Sequence, residues 1–530
     1  MITSEIKNEY DYVIVGSGFG GSVSALRLSE KGYKVLVIEK GRYYRQNDFP
    51  KTNWNLKRWL WLPSMRFFGF FKLTFFRHIG ILSGVGIGGG SLVYANTLPR
   101  PKPTFFNSGN WAGIRDWEKE LEPFYRVAEK MLGANQNPKL FESDHTLKKV
   151  AEAFHKEKEF TPTNVAVFFG EPDVNVPDPF FNGKGPDRAG CKFCGACMTG
   201  CRFNAKNTLD KNYLYLAWKN GVDIVSEQIV TGITENKSEG QKTTYSIHFK
   251  DSTKLIKHKK TVKAGGVILS GGVLGTVRLL LDLKHTSLKN LSSQVGNHIR
   301  TNNESLVLVT STNKQKDYSE GVAIGSIFPV DDDSHLEPVR YGKGSGFWKL
   351  LGAPLTFGNG ILVRFFKIAY KYIRYPLVYL RLFTVKDFAK QSLILLFMQH
   401  LDSKLNFKRG LINLKSGISE GKAPTAFMPL AKLLAEKTAD IMDGKPMVLI
   451  TEALTGIPTT AHILGGAVIG TSPENGVIDD NHKVFGYENI YVCDGSAISA
   501  NPGVNPALTI TAMTERALSM IPDKKMVIQE

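Results

Sequence analysis

From Asp11 to Glu39 the sequence runs DYVIV, then GSGFGG, then Ser22–Lys31 with helical apolar spacing, then a second apolar run, Lys34–Ile38, closed by an acid. A β-branched run followed at once by G-x-G-x-x-G and a helix predicts the strand–turn–helix–strand opening of a parallel, doubly wound sheet that binds a dinucleotide. In that reading Gly16 makes the tight turn, Gly18 lets backbone approach a pyrophosphate, and Gly21 lets the helix pack on the strand. The helix start offers unpaired N–H groups and a partial positive charge to phosphates. Glu39, 18 residues beyond Gly21, is placed to accept hydrogen bonds from ribose hydroxyls. The expected class is therefore α/β.

Three later segments extend the pattern. Leu82–Thr97 (LSGVGIGGGSLVYANT) is glycine-rich, and fits either backbone laid against a planar ring or diphosphate or a purely structural turn. Val267–Asp282 reads as another strand, glycine turn and helix, as if the first sheet were resumed late in the chain. Ile490–Arg516 has a strand ending on Asp494, a turn, and Asn505-Pro506 opening an amphipathic helix. An acid at such a strand end suits a flavin's ribityl chain and ring edge.

Together, from Tyr10 to Ala517, these segments resemble the glucose–methanol–choline (GMC) family of flavin oxidoreductases, and within it the bacterial cholesterol oxidase branch. The resemblance implies FAD. It implies an FAD-binding Rossmann-like domain assembled from residues 1–100, 200–310 and 445–530. Residues 101–199 and 311–444 would form an α+β substrate domain with a covering sheet. Gly16, Gly18, Gly21 and Glu39 would hold the ADP half of the cofactor. Gly89, Gly90, Ser91 and Asn96 would lie near the ring, and Asp494 and Asn505 at the flavin end.

Oxidising an alcohol needs a hydride acceptor over the carbinol carbon and a group that orients or deprotonates the hydroxyl. His462, in Thr460-Ala461-His462-Ile463-Leu464-Gly465-Gly466, stands in a His-x-x-Gly-Gly setting like that of the family's active-site histidine. His462 and Asn505 are thus the catalytic candidates. The plainer alternatives are a hydrogen-bonded core histidine and an asparagine capping the helix that Pro506 opens. The cholesterol oxidase branch also carries a glutamate that moves a proton to isomerise the steroid double bond. Phe397–Asp402 lies in the corresponding part of the chain without a matching residue, so that role is unassigned.

Four of the five cysteines, Cys191, Cys194, Cys197 and Cys201, follow C-x2-C-x2-C-x3-C, a ferredoxin-like spacing with Arg202 where proline is usual. The expectation is a metal site, iron–sulfur ahead of zinc, with free thiols or disulfides as the alternative. A cluster there would pass electrons from reduced flavin to an acceptor protein.

Composition bounds the rest. The chain has 530 residues, 42% of them hydrophobic and 22% charged, which excludes disorder and collagen. No secretory signal or apolar run long enough to span a bilayer is visible, giving an expected cytoplasmic or peripheral-membrane location. The formal charge of +18 asks for an anionic partner. No nucleic-acid module is present, so nucleic acid is not expected. Trp54–Arg77 carries five basic residues and Ile361–Lys386 six, both without an acid and both rich in aromatics. They fit an anionic membrane surface, or a cover over the substrate cavity. The leading expectation is FAD-dependent oxidation of a lipophilic alcohol, a 3β-hydroxysteroid such as cholesterol, with oxygen or a redox partner as acceptor. The second is a membrane-associated flavin/iron–sulfur dehydrogenase of long-chain or terpenoid alcohols.

Overall fold

The computed structural model describes residues 1–524 apart from 4, 238, 412, 421 and 422. Glu9–Val15 and Val35–Ile38 are parallel strands joined by helix α1, Phe19–Glu30. Every residue of Val35–Ile38 is buried, as a strand covered on both faces requires. Asp223–Val225 adds in parallel on one side and Lys259–Leu269 on the other. Ile490–Val492 then pairs in parallel with the end of that long strand, while Thr244–Asp251 and Gln228–Asn236 run antiparallel to the edge. Seven strands drawn from the start, middle and end of the chain thus share one sheet. Val13, Ile14, Leu36, Val37 and Ile268 are wholly out of water, and each such side chain contributes about 1.5–3 kcal/mol.

The opening turn needs glycine for two reasons. Gly16 sits at φ +98°, and a Cβ there would meet the Ser270 carbonyl oxygen at 2.3 Å. The N-terminal turn and the turn after Leu269 therefore touch through backbone, and helix α2, Gly272–His285, departs from that second turn.

A second seven-stranded sheet is antiparallel throughout, in the order Gly352–Pro354, Gly444–Leu449, Ser305–Ser311, Ser392–Gln399, Ser334–Val339, Ser326–Pro329, Thr161–Pro162. A small third sheet pairs Phe71–Phe75 with Gly80–Gly84, and the latter runs parallel to Thr459–Thr460. Outside the second sheet lie helices α3, Ile361–Arg374, and α4, Pro376–Thr384, split where proline cannot continue the ladder of hydrogen bonds. The last helix, α5, is Ala507–Ser519. Among the described residues no helix is long and apolar enough to cross a membrane.

The aromatic stretch Trp54–Arg77 is split: Trp59, Trp61, Phe70 and Phe71 are buried, while Trp54, Leu62, Met65 and Phe75 are exposed. Trp59 stacks on Phe71 with ring centroids 4.7 Å apart, and Trp348 meets both rings edge-on. Trp59, Phe70, Phe71, Trp348, Tyr379 and Leu382 belong to one apolar cluster. That cluster joins the small sheet to α4 and the second sheet.

Candidate active site

A cavity of about 320 Å³ is bounded by the turns of the first sheet and one face of the second. Alternate residues of single strands, Leu306 and Leu308, then Ile394 and Leu396, supply an apolar wall. The opposite wall is glycine and helix N-terminus: Gly18 to Gly20 at the start of α1, Gly271 to Val273 at the start of α2, and Pro506 with Ala507 at the start of α5. Three helix starts converging on one space make it electropositive without any side chain.

A dinucleotide fits this wall on its own evidence. Cβ atoms built on Gly18, Gly272 and Gly275 would meet nothing within 4 Å, so those backbones face open space that any larger residue would occupy. Two lysines border the same space, Lys40 directly after Glu39, and Lys72 from strand Phe71–Phe75. Burial, with Lys40 and Arg278 nearby, pushes the Lys72 pKa down to about 7. A diphosphate placed there would relieve that like-charge strain.

Of the residues expected at the cofactor, Gly18, Gly90, Asp494 and Asn505 line the cavity. Gly16, Gly21, Glu39, Gly89, Ser91 and Asn96 stand behind its surface. Glu39 is buried and braces the turn: Oε2 accepts from Ser17 N at 3.1 Å and Ser17 Oγ at 2.9 Å, and Oε1 from Gly41 N at 2.9 Å. Ser91 Oγ donates to the Gly88 carbonyl at 2.7 Å and accepts from Leu209 N at 3.1 Å. Asp494 caps the short turn Gly495–Ala497, accepting from Ser496 N at 2.8 Å and from Thr276 Oγ1 at 2.5 Å. Burial pushes its pKa up, and the Ser496 and Thr276 hydrogen bonds act against that.

His462 also lines the cavity. Its Nδ1 lies 2.7 Å from Glu304 Oε2, and its Nε2 lies 3.3 Å from Asn505 Nδ2. The approach of these three follows from backbone pairing. Arg300 and Leu464 exchange hydrogen bonds in both directions, at 2.8 and 2.9 Å, which lays Arg300–Glu304 beside the histidine segment. Directly after, Gly465 turns at φ +78°, where a Cβ would strike the His298 carbonyl oxygen at 2.1 Å. Asn302 Nδ2 donates to the Val504 carbonyl at 2.8 Å and so holds the Asn505 loop to the same segment.

Glu304 is buried with its other oxygen accepting from Ala461 N at 2.5 Å. Burial acts to raise its pKa, yet the charge and hydrogen bond of His462, with bonds from Thr460 and Ala461, hold the carboxyl below its ordinary range. A carboxylate only accepts, so His462 carries its proton on Nδ1 and turns Nε2 to the cavity. The Asn505 Oδ1 atom is buried with no hydrogen-bond partner among the described residues. It is available to a ligand.

Sequence reading passed over Glu304 and a second acid, Glu337. Glu337 stands two residues before the cavity-lining Val339, on the same face of strand Ser334–Val339. It is fully buried, and neither carboxyl oxygen has a hydrogen-bond partner among the described residues. Burial pushes its pKa up to about 8, with the Asn505 amide acting downward and Glu304 upward. The available signal was an acid inside an apolar alternation, hidden by the exposed Asp331–Asp333 run beside it. Lys72 belongs to the stretch Trp54–Arg77, whose sequence fits a membrane surface or a cavity cover without marking any one cation for the cavity.

The four cysteines expected to hold a metal, Cys191, Cys194, Cys197 and Cys201, show no metal centre among the described residues. Cys191 is buried, Cys197 and Cys201 are half-buried, and Cys194 is exposed, all as free thiols. Among the described residues no group of three or more His, Cys, Asp or Glu side chains is arranged to hold a metal ion. Close spacing brings cysteines near in sequence, but packing sets where each sulfur points. Here the loop serves as cavity wall. Gly195 N donates to the Gly321 carbonyl at 2.9 Å, Met198 borders the cavity, and buried Lys206 Nζ donates to the Cys197 carbonyl at 2.9 Å.

Comparison with known proteins bears on this site. Profiles described as GMC oxidoreductase match residues 10–296 and 425–514. The chain is 45% identical to a cholesterol oxidase of Acinetobacter baumannii over 97% of this chain and 95% of that protein. It is 41% identical to a cholesterol oxidase of Mycobacterium tuberculosis over 98% of this chain and 92% of that protein. A long-chain-alcohol oxidase of Arabidopsis thaliana is 23% identical over 97% of this chain and 67% of its own length. Among solved structures, a pyridoxine 4-oxidase from Mesorbium loti superposes with a TM-score of 0.59 at 15% identity, over 96% of this chain and 98% of the other, which shows likeness of fold.

Proposed function

The chain belongs to the GMC oxidoreductase family, an FAD-dependent oxidoreductase acting on CH–OH donors, and on that premise we propose that its substrate is a 3β-hydroxysteroid oxidised to the ketone, with molecular oxygen as acceptor. The observation that carries this reading is His462 held between Glu304 and Asn505 at an apolar cavity. The two cholesterol oxidases at 45% and 41% identity support the sterol and the oxygen.

Oxidation removes a hydride from the carbinol carbon and a proton from its oxygen. FAD, when bound, supplies the hydride acceptor. Gly18, the starts of α1 and α2, Lys40 and Lys72 would hold its diphosphate half, while Gly90, Asp494 and Asn505 would lie at the flavin end. His462 Nε2 takes the hydroxyl proton, and the Glu304 carboxylate stabilises the imidazolium that results. The Asn505 amide positions the substrate oxygen. Glu337, buried beside Asn505 with His335 Nε2 at 3.8 Å, is suited to move a proton within the ketone product and so to isomerise the double bond. We propose that the cofactor domain comprises residues 1–100, 200–310 and 445–530, centred on the first and third sheets, and that the covering domain is centred on the second.

Anaerobic mixing of the holoprotein with 3β-hydroxysteroids, long-chain alcohols and terpenoid alcohols tests the reading. Bleaching of the flavin band by sterols, and peroxide formation on admitting air, are expected. Bleaching by an unbranched alcohol alone would favour the second reading, a long-chain-alcohol oxidase, which the Arabidopsis relative supports. No bleaching by any of them would end both.

A further inference from the structure

Helices α3 and α4 are amphipathic in the reverse sense to a surface helix of a globular protein. Leu362, Phe366, Tyr370 and Ile373 recur along one side of α3, and Leu377 and Leu380 continue on α4, all between 58% and 80% exposed. Most cations of α3 turn to the protein instead. Arg364 is buried, its Nε donating to the Leu454 carbonyl at 2.8 Å and its Nη1 to the Gly358 carbonyl at 2.8 Å, with its guanidinium over the Phe427 ring. Lys371 Nζ donates to the Leu355 carbonyl at 2.6 Å, and Lys367 Nζ to the Phe357 carbonyl at 3.1 Å. The apolar stripe is therefore what faces outward. Scattered single apolar residues are normal on a surface, but an ordered stripe on two successive helices is not.

We propose that the exposed stripe of α3 and α4 inserts into the acyl boundary of a phospholipid bilayer, with the exposed rim cations Arg374, Arg381 and Lys386 on lipid phosphates. Charge selects this occupant. No acid occurs between Ile361 and Lys386, so a second copy of the chain seated there would bring like charges together with no carboxylate to pair them. A lipid surface supplies both an apolar interior and anionic oxygens. The inner side of the same element packs behind the cavity wall: Tyr379 and Leu382 of α4 belong to one cluster with Tyr341, Trp348, Leu308 and Leu449, four residues that border the cavity. The inserted helices would thus stand directly over the space where a lipophilic alcohol is bound. The inference rests on the proposed function for its purpose only, because docking is read without substrate.

The test is co-sedimentation of the FAD-loaded protein with phosphatidylcholine vesicles and with vesicles of equal parts phosphatidylcholine and phosphatidylglycerol. Oxidation of a sterol in detergent micelles is measured in parallel. Wild type is expected in both pellets, more strongly with phosphatidylglycerol. The combined variant Leu362→Ser, Phe366→Ser, Ile373→Ser is expected to lose about tenfold or more in partitioning to both. These side chains are exposed, so its flavin content and micellar oxidation are expected to stay as in wild type. Arg374→Ser with Arg381→Ser is expected to lose only the phosphatidylglycerol preference. The proposal is overturned if wild type stays in the supernatant, if the serine variant sediments as wild type does, or if wild type is a dimer that the variant dissolves to monomer. Vesicle binding without sterol oxidation would sink the substrate assignment and leave the docking surface standing.

Discussion

Glu304 Oε2 lies 2.7 Å from His462 Nδ1, while the other ring nitrogen of that histidine faces Asn505 across 3.3 Å. One side of the imidazole is thus fixed by a buried carboxylate and the other borders the cavity. Glu304→Gln keeps the shape but loses the charge that stabilises a protonated ring. Its kcat is expected to fall on the order of 100-fold, with KM and flavin content little changed. His462→Ala should fall at least as far. Stopped-flow reduction of the flavin measures both, and wild-type reduction rates in Glu304→Gln would remove the carboxylate from the mechanism.

Glu337 separates the two halves of the proposed chemistry. Glu337→Gln is nearly isosteric and removes only the titrating oxygen, so oxidation should continue within a few-fold of wild type. The product should shift from the conjugated to the unconjugated ketone. Chromatography of products from a single turnover distinguishes these. A conjugated product from the variant would reject the assignment.

Glu452 gives a pH-dependent stability with a definite sign. It is buried, and burial pushes its pKa from the ordinary 4.5 up to about 8, with Thr459 acting against it and Glu304 adding to it. Between those values the folded chain keeps a proton that the unfolded chain releases, so stability falls as pH rises through the window. Below it both states are protonated and the effect is absent. Glu452→Gln should therefore melt progressively higher than wild type from about pH 5 to pH 8, a difference on the order of a few kcal/mol at the upper end. Melting curves at four or five pH values test it, and a constant offset would contradict it.

Lys72 should affect the loaded and unloaded protein in opposite directions. Without an anion it is a desolvated cation near Lys40 and Arg278, so Lys72→Met should leave the apoprotein as stable as wild type or more so. With FAD it loses a charge partner for the diphosphate, and affinity should drop about tenfold. Flavin release followed by fluorescence, alongside melting of both forms, separates the two effects. Unchanged flavin affinity would take Lys72 out of the cofactor site.

The residues Asp11–Glu39 determined their own structure, because β-branched residues, three spaced glycines and a helical apolar period leave one local solution. Glu9–Val15, Phe19–Glu30 and Val35–Ile38 accordingly form the strand, helix and strand of the motif, and Glu39 spends its oxygens on Ser17 and Gly41. His462 was also legible, since the Gly465 turn at φ +78° is written in the sequence as a glycine pair. Its partner was not. Glu304 is 158 positions away, and it reaches the imidazole only through the pairing of Arg300 with Leu464. Glu337 and Lys72 were hidden for a related reason: a charge in sequence has no direction until the sheet decides which face it takes. For the cysteines, spacing specifies neighbours along the chain, and whether they converge on a metal is left to the packing of the fold, which shows no metal-holding group among the described residues. In sequence the cations of α3 fit either a membrane surface or a cavity cover. Only the fold turned Arg364, Lys367 and Lys371 toward backbone carbonyls and left the apolar stripe outside, because long basic side chains satisfy their donors wherever carbonyls end a helix or loop.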